Sequence, residues 1–198
     1  RFIYNNDKRK SVDNINPYLT EHQIAGILEI KQPISSLSPM QYGVYYSKSA
    51  GLILNIDERK ALISEGLNPN FIRSFIGSTE YINATDRFCL WIADHELKEA
   101  TNSPSVSERI ASVKRDRSES VDAAANKLAL KPHQFRERKG DEGTKIFIPI
   151  VSSENRDYLP VGIADHKVIP TNKAFYIPEA ALWNMALIAS RLHWVWIG

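Results

Sequence analysis

Four prolines, at positions 149, 160, 170 and 178, fall among the β-branched and aromatic runs that fill the last third of the chain. Proline has no amide hydrogen to give to a strand ladder, so it is confined to edges, strand ends and bulges. The strands read at 145–151, 158–163 and 174–177 are therefore expected to be irregular or edge members, not the centre of a flat sheet. A second pattern lies just ahead of them. Ser103 is a ready N-cap with Pro104 at the first helical position. Val106, Ile110, Val113, Val121, Ala124, Ala125 and Leu128 then recur at three and four residues. They predict one long helix from 103 to about 130, with Arg117 interrupting its apolar stripe and leaving its middle more exposed. A C-terminal helix is drawn from Leu182, Met185, Ala186, Ala189, Leu192 and Trp196. Trp183 and Trp194 lie off that stripe, which points to a surface packed on further protein. The fold class follows as α+β: a curved, largely antiparallel sheet flanked by the long central helix and the C-terminal one.

The first half of the chain adds shorter elements. A strand is expected at 23–30, a loop rich in proline and serine at 32–40, and a buried strand at 51–55. Asp57 and Glu58 mark the first turn of a helix from 56, with Leu62 and Ile63 inside and Gly66 as its stop. The apolar run 88–92 reads as a core strand holding Cys89 and Trp91. Pro17 keeps the 16–19 segment out of helix.

A chain of 198 residues with a net charge of +2 reads as a single domain, 1–198, large enough to fold on its apolar core alone. Cys89 is the sole cysteine, so there is no intrachain disulfide and no cysteine-rich zinc site. With no leader-like apolar run at its start, the chain reads as cytoplasmic. The apolar stretch 180–197 is broken by Asn184, Ser190, Arg191 and His193, short of a membrane span. The strand-like run 2–4 has no partner before it and no initiator methionine, so the chain reads as excised from a longer one.

Motifs that carry catalysis are missing. There is no phosphate loop, dinucleotide fingerprint, zinc-protease helix or nucleophile elbow. Ile-Ala-Asp-His occurs twice, at 92–95 and 163–166, and after a strand in both cases reads as turn chemistry. Charge is the informative feature. Residues 109–145 hold ten basic and six acidic side chains, so this stretch carries +4 and the rest −2. A solvated helix face with a mobile hairpin explains that surplus as well as a polyanion-binding surface does.

The order of several longer strings is more specific. These are Asn16-Pro17-Tyr18-Leu19, Pro39-Met40-x-Tyr42-Gly43, Gly51-Leu52-Ile53-Leu54 and Phe71-Ile72-Arg73-x-Phe75-Ile76-Gly77-x-x-Glu80-x-Ile82-Asn83. Arg87-x-Cys89-Leu90-Trp91, Ile148-Pro149-x-Val151-Ser152-Ser153-Glu154-x-Arg156-x-Tyr158-x-Pro160-x-Gly162 and Ser190-Arg191-x-His193 follow. Together they resemble the target recognition domain of the MmeI-like (Type IIL) restriction-modification enzymes, from about Asn14 to His193. Two departures stand out. Residues 44–50 replace the small acidic and glycine-rich turn usual after Tyr42-Gly43. The family's Asn-Pro-Pro-aromatic methyltransferase motif, its cofactor glycine motif, its nuclease acids and its segments after the last helix are all missing.

The resemblance implies a module that is not itself an enzyme and holds no cofactor or metal. It implies a parent polypeptide that is an S-adenosylmethionine-dependent adenine-specific DNA methyltransferase with endonuclease activity, its methyltransferase domain upstream of this module and a helical domain downstream. Its partners would be double-stranded DNA and that methyltransferase domain, with no membrane involved. The expected reader of phosphates is the basic helix face, Lys114, Arg115 and Arg117 with Lys127 and Lys131. Base selection is expected from the turn His133, Gln134, Arg136, Arg138 and Lys139, and from Lys145, Asn155, Arg156 and Lys173, with Ser152 and Ser153 as hydroxyl donors. Glu154 and Arg156, two residues apart, alternatively pair with each other on one strand face. A protein-docking scaffold and an RNA-binding module remain the rival readings.

Overall fold

The computed structural model describes residues 1–5, 8–16, 19–21 and 38–197. The strand expected at 23–30, most of the loop expected at 32–40, and Pro17 lie outside the described residues. The chain divides into two compact units, Arg1–Ser36 and Leu37–Gly198. In the first, β1 (Phe2–Asn5) pairs antiparallel with β2 (Lys8–Ser11), Phe2 facing Ser11. The run at 2–4 thus finds its partner after it. The Arg9 guanidinium lies 3.5 Å from the Phe2 ring centroid, and Lys10 pairs with Glu21.

The second unit runs β3 (Gln41–Tyr42), β4 (Ile53–Leu54), α1 (Ile56–Ser64), β5 (Ile72–Ile76), α2 (Ser78–Asn83), β6 (Phe88–Leu90) and α3 (Leu97–Ala100). It continues through α4 (Pro104–Ser118), α5 (Ala123–Leu128), β7 (Lys145–Pro149), β8 (Gly162–Ala164), β9 (Val168–Pro170), β10 (Ala174–Pro178), α6 (Leu182–Ala189) and α7 (Arg191–Ile197). The fold is α+β with antiparallel sheets, as the sequence implies, but the strands form two four-stranded sheets in this unit rather than one curved sheet. One has the order β3-β10-β7-β8 and is antiparallel throughout. The other has the order β4-β6-β5-β9, with a single parallel pair, β5 and β9.

Prolines act differently from the expectation. Strands β7 and β10 are interior members of their sheet, and Pro149 and Pro178 are their last residues. A proline at a strand terminus leaves the ladder before it intact, so the sheet tolerates both in its middle. Pro170 ends the edge strand β9, which lies outside the strands expected from sequence, and residues 150–161 form a loop that takes in the expected strand ends at 150–151 and 158–161.

Local chemistry fixes α1. The Asn55 side chain accepts the amides of Asp57 and Glu58 at 2.9 Å, and the Glu58 carboxylate accepts the Asn55 amide at 2.8 Å. Gly66 follows at φ +91°, where a glycine stop costs least. Leu62 packs into a core built from Leu52, Leu54, Phe75, Leu90, Ile92, Val106, Val113 and Ile169. Helix α4 closes that core through Val106, Ile110 and Val113 against the 3-10 turn 50–52.

The long helix is broken. Helix α4 ends at Ser118, and α5 begins afresh with Asp122 capping the Ala124 amide at 2.9 Å. Serine and aspartate compete for backbone donors, and here they win over the apolar spacing. Val121 is consequently in solvent, outside any stripe. The C-terminal helix is also two helices, parted at Ser190, where ψ is 147°. Its expected stripe does not form: Leu182, Leu192 and Trp196 are exposed, while Asn184 is buried. Among the described residues no helix is long and apolar enough to cross a membrane.

Candidate nucleic-acid interface

The basic segment 131–141 forms turns packed on the core, with no hairpin strands. Phe135 stacks on Phe75, ring centroids 5.1 Å apart, and lies 6.0 Å from the Trp91 ring. The Trp91 indole donates to Asp141 at 2.9 Å. Arg138 lies 4.8 Å above the Trp91 ring, donates to the Ile92 carbonyl at 2.7 Å and stands 3.8 Å from Asp141. Asp94 gathers three donors from the same segment: Lys131 at 2.6 Å, and His133 and Gln134 at 2.9 Å each. The result is a ledge bolted along the end of β6.

Arg117 holds the ledge from below. It is 1 % exposed and donates to five acceptors. These are the carbonyls of Lys48, Leu128, Lys131 and Gln134, at 2.8–3.1 Å, and the Ser49 hydroxyl at 2.9 Å. Burial pulls its pKa down from the ordinary arginine value. A guanidinium in a cage of carbonyl dipoles keeps its charge solvated without water. The expectation that Arg117 opens the helix to solvent and binds phosphate is corrected, because its donors are spent inside the fold.

Two more of the expected DNA contacts are inside. Lys145 is 0 % exposed and donates to the carbonyls of Asp165, Val168 and Gly143 at 2.5, 3.3 and 3.4 Å. Burial lowers its pKa, while Glu142, Asp165 and Asp141 oppose that shift. His133 is buried against Asp94, its Nδ1 without a partner. Neither side chain can reach a groove without leaving these contacts, so for both the sequence expectation is corrected.

The remaining candidates stay at the surface. Lys114 and Lys127 are exposed and make no ion pair among the described residues, Lys114 one turn before Arg117. Arg115 is exposed too, but it lines the groove between α1 and α4 beside Glu58, Glu65 and Glu108. Arg136 is exposed and pairs with Glu137 at 3.2 Å, and Lys139 is half-buried. Ser152, Ser153, Asn155 and Arg156 stand in the exposed loop 150–161, where no ion pair joins Glu154 to Arg156.

Lys173 is exposed in a turn locked on three sides. The Thr171 amide donates to Ile76, the Asn172 amide to Val44, and the Ser78 amide and hydroxyl to the Lys173 carbonyl. That hydroxyl also accepts the Ile150 amide at 3.0 Å, so the 150–161 loop starts beside Lys173. On the other flank, the Tyr45 amide reaches Glu137 at 3.4 Å, and Gly140, at φ +82°, leaves no room for a Cβ beside Pro170. The structure therefore joins the ledge, the 43–48 loop, the 171–173 turn and the head of the 150–161 loop.

Lys48, Tyr45 and Tyr42, which the sequence reading did not name among the DNA contacts, are also exposed, on the 42–48 stretch. The departure of residues 44–50 from the family pattern was the available signal. The two Asp-His pairs part company: Asp94 gathers the ledge, whereas Asp165 caps the Lys167 amide at 2.8 Å. Cys89 is fully buried, and its thiol is pushed well above the ordinary range by desolvation.

Rigid sheets that lend out several fixed loops bearing cations, amides and hydroxyls define a recognition module. The chain belongs to the MmeI target recognition domain family, whose model matches residues 22–198. It is 34% identical, over its whole length, to DNA methyltransferase A of Bacillus subtilis (strain 168), and covers 22% of that protein. A solved structure of the Type IIL restriction-modification enzyme MmeI in complex with DNA matches 94% of the chain with a TM-score of 0.77 and 31% identity. The chain spans about a quarter of the length of these relatives.

Proposed function

We propose that this chain is the sequence-reading part of a longer DNA methyltransferase, docking on duplex DNA while a neighbouring domain methylates an adenine flipped from the stack. The observation that carries the reading is its likeness across 94% of its length to a relative solved with DNA. Phosphate contacts fall to the exposed cations Lys48, Lys114, Lys127 and Lys173 and to the half-buried Lys139, none of which forms an ion pair among the described residues, with Lys131 held by Asp94. Base-edge contacts fall to Arg136 on the ledge and to Ser152, Ser153, Asn155 and Arg156 on the adjoining loop; among the described residues the side chains of these four make only the turn bond from the Asn155 amide to the Ser153 hydroxyl. Arg138, though exposed, holds the ledge, its guanidinium spread over Trp91 and bonded to the Ile92 carbonyl. The methyl donor, S-adenosylmethionine, belongs to the neighbouring domain in this reading. We read the whole chain as one module with respect to function, working in the cytoplasm.

Titrating salt against binding of a duplex by the full-length protein tests the proposal. The affinity is expected to fall with a log–log slope of about −0.9 for every phosphate neutralised, several in all, and single-stranded RNA is expected to compete poorly. A flat salt response, or preference for RNA, removes this reading in favour of a docking scaffold or an RNA-binding module.

A further inference from the structure

Asp94 is an acid in the middle of a surface with surplus positive charge. It stands four residues after the end of β6, at the head of a 3-10 turn in which the Glu96 carboxylate accepts the Ala93 amide at 2.6 Å. Its side chain is 58 % exposed, so the interior does not dictate its identity. One carboxylate oxygen takes Lys131, and the other takes both His133 and Gln134. Hydrogen bonds from Lys131 and His133 hold its carboxyl below the usual aspartate range. It is thus ionised wherever DNA binding is measured at neutral pH.

We propose that Asp94 is a positioning residue that sets specificity: it withholds Lys131 from phosphates of any sequence and fixes the Gln134 amide and the His133 ring in one arrangement. The inference rests on the DNA-reading function proposed above. A phosphate approaching the ledge meets the Asp94 charge as well as the lysine, so generic attraction is muted on the same ledge from which the exposed Arg136 reaches outward. Discrimination is a difference between affinities, and it improves when binding to the wrong sequence is weakened.

Two variants separate the charge from the scaffold. Asp94→Asn keeps the shape and an acceptor for His133 and Gln134 but frees Lys131. In the full-length protein it is expected to raise affinity for random-sequence duplex about fivefold at 0.15 M salt and to steepen the salt slope by about 0.9, one phosphate's worth. Adding Lys131→Ala to that variant is expected to return the slope to its starting value, which a purely structural role for Asp94 would not do. Asp94→Ala, which also removes the acceptor, is expected to broaden the sites methylated across a library of randomised duplexes. If the wild-type protein binds duplex DNA with a salt-dependent affinity and Asp94→Asn leaves the slope unchanged, the inference about Asp94 fails while the function stands. If the wild type shows no salt-dependent duplex binding, the function fails and takes the inference with it.

Discussion

At the scale of single residues, charge was a poor guide to position. Arg117, Lys145 and His133 sit in the most basic stretch of the chain and are among its most buried polar side chains. Nothing in a sequence says that four backbone carbonyls will converge on one point, and that convergence makes a buried arginine tolerable. Arg117→Ala leaves those carbonyls facing a dry cavity, so a loss of roughly 3 kcal/mol is expected, since orphaned buried acceptors cost about 1–3 kcal/mol each and some relax toward water. Arg117→Lys retains the charge with three donors in place of five and is expected to fall between. Urea unfolding would read both as shifts of the midpoint at unchanged slope. An unfolding free energy within about 0.5 kcal/mol of wild type in Arg117→Ala would show that the cage contributes little.

At the scale of elements, what was legible was written locally. Helix α1 follows from Asn55, Glu58 and Gly66, all within one short stretch, and the strands β6, β7 and β10 follow from their apolar runs. Elements defined by distant partners were not legible. Strand β9 has three residues and exists because β5 lies parallel to it, and α4 stops where Asp122 finds a better use for its carboxylate. The same dependence makes a contact between elements testable. Gly51 lies where α4 crosses the 50–52 turn, and a Cβ there would stand 2.7 Å from the Arg109 carbonyl and 2.8 Å from a Val113 methyl. Gly51→Ala is expected to push the helix off the turn at a cost of about 1–3 kcal/mol, as overpacking does. Calorimetry showing an unchanged melting temperature would mean that the crossing has slack.

At the scale of the whole molecule, function was legible mainly in the order of motifs, because long strings at fixed spacing survive where single charges mislead. The surface they leave over is apolar: Leu182, Trp183, Leu187, Leu192, Val195 and Trp196 are all exposed on α6 and α7. A patch of that kind is ordinarily covered, and the reading proposed here gives it the rest of a polypeptide about four times longer in the relatives. Leu192→Glu with Trp196→Glu in the full-length protein is expected to split a coupled thermal unfolding transition into separate ones, and a single unchanged transition would leave the patch in solvent. The grip of Arg117 bears on how such a molecule diversifies. It takes hold of Lys48, Leu128, Lys131 and Gln134 by main-chain oxygen alone, so it is indifferent to which side chains stand there. Residues on the outer surface can then drift, one substitution at a time, while the frame beneath them keeps its shape. Such a fold can acquire a new target without first having to become a new structure.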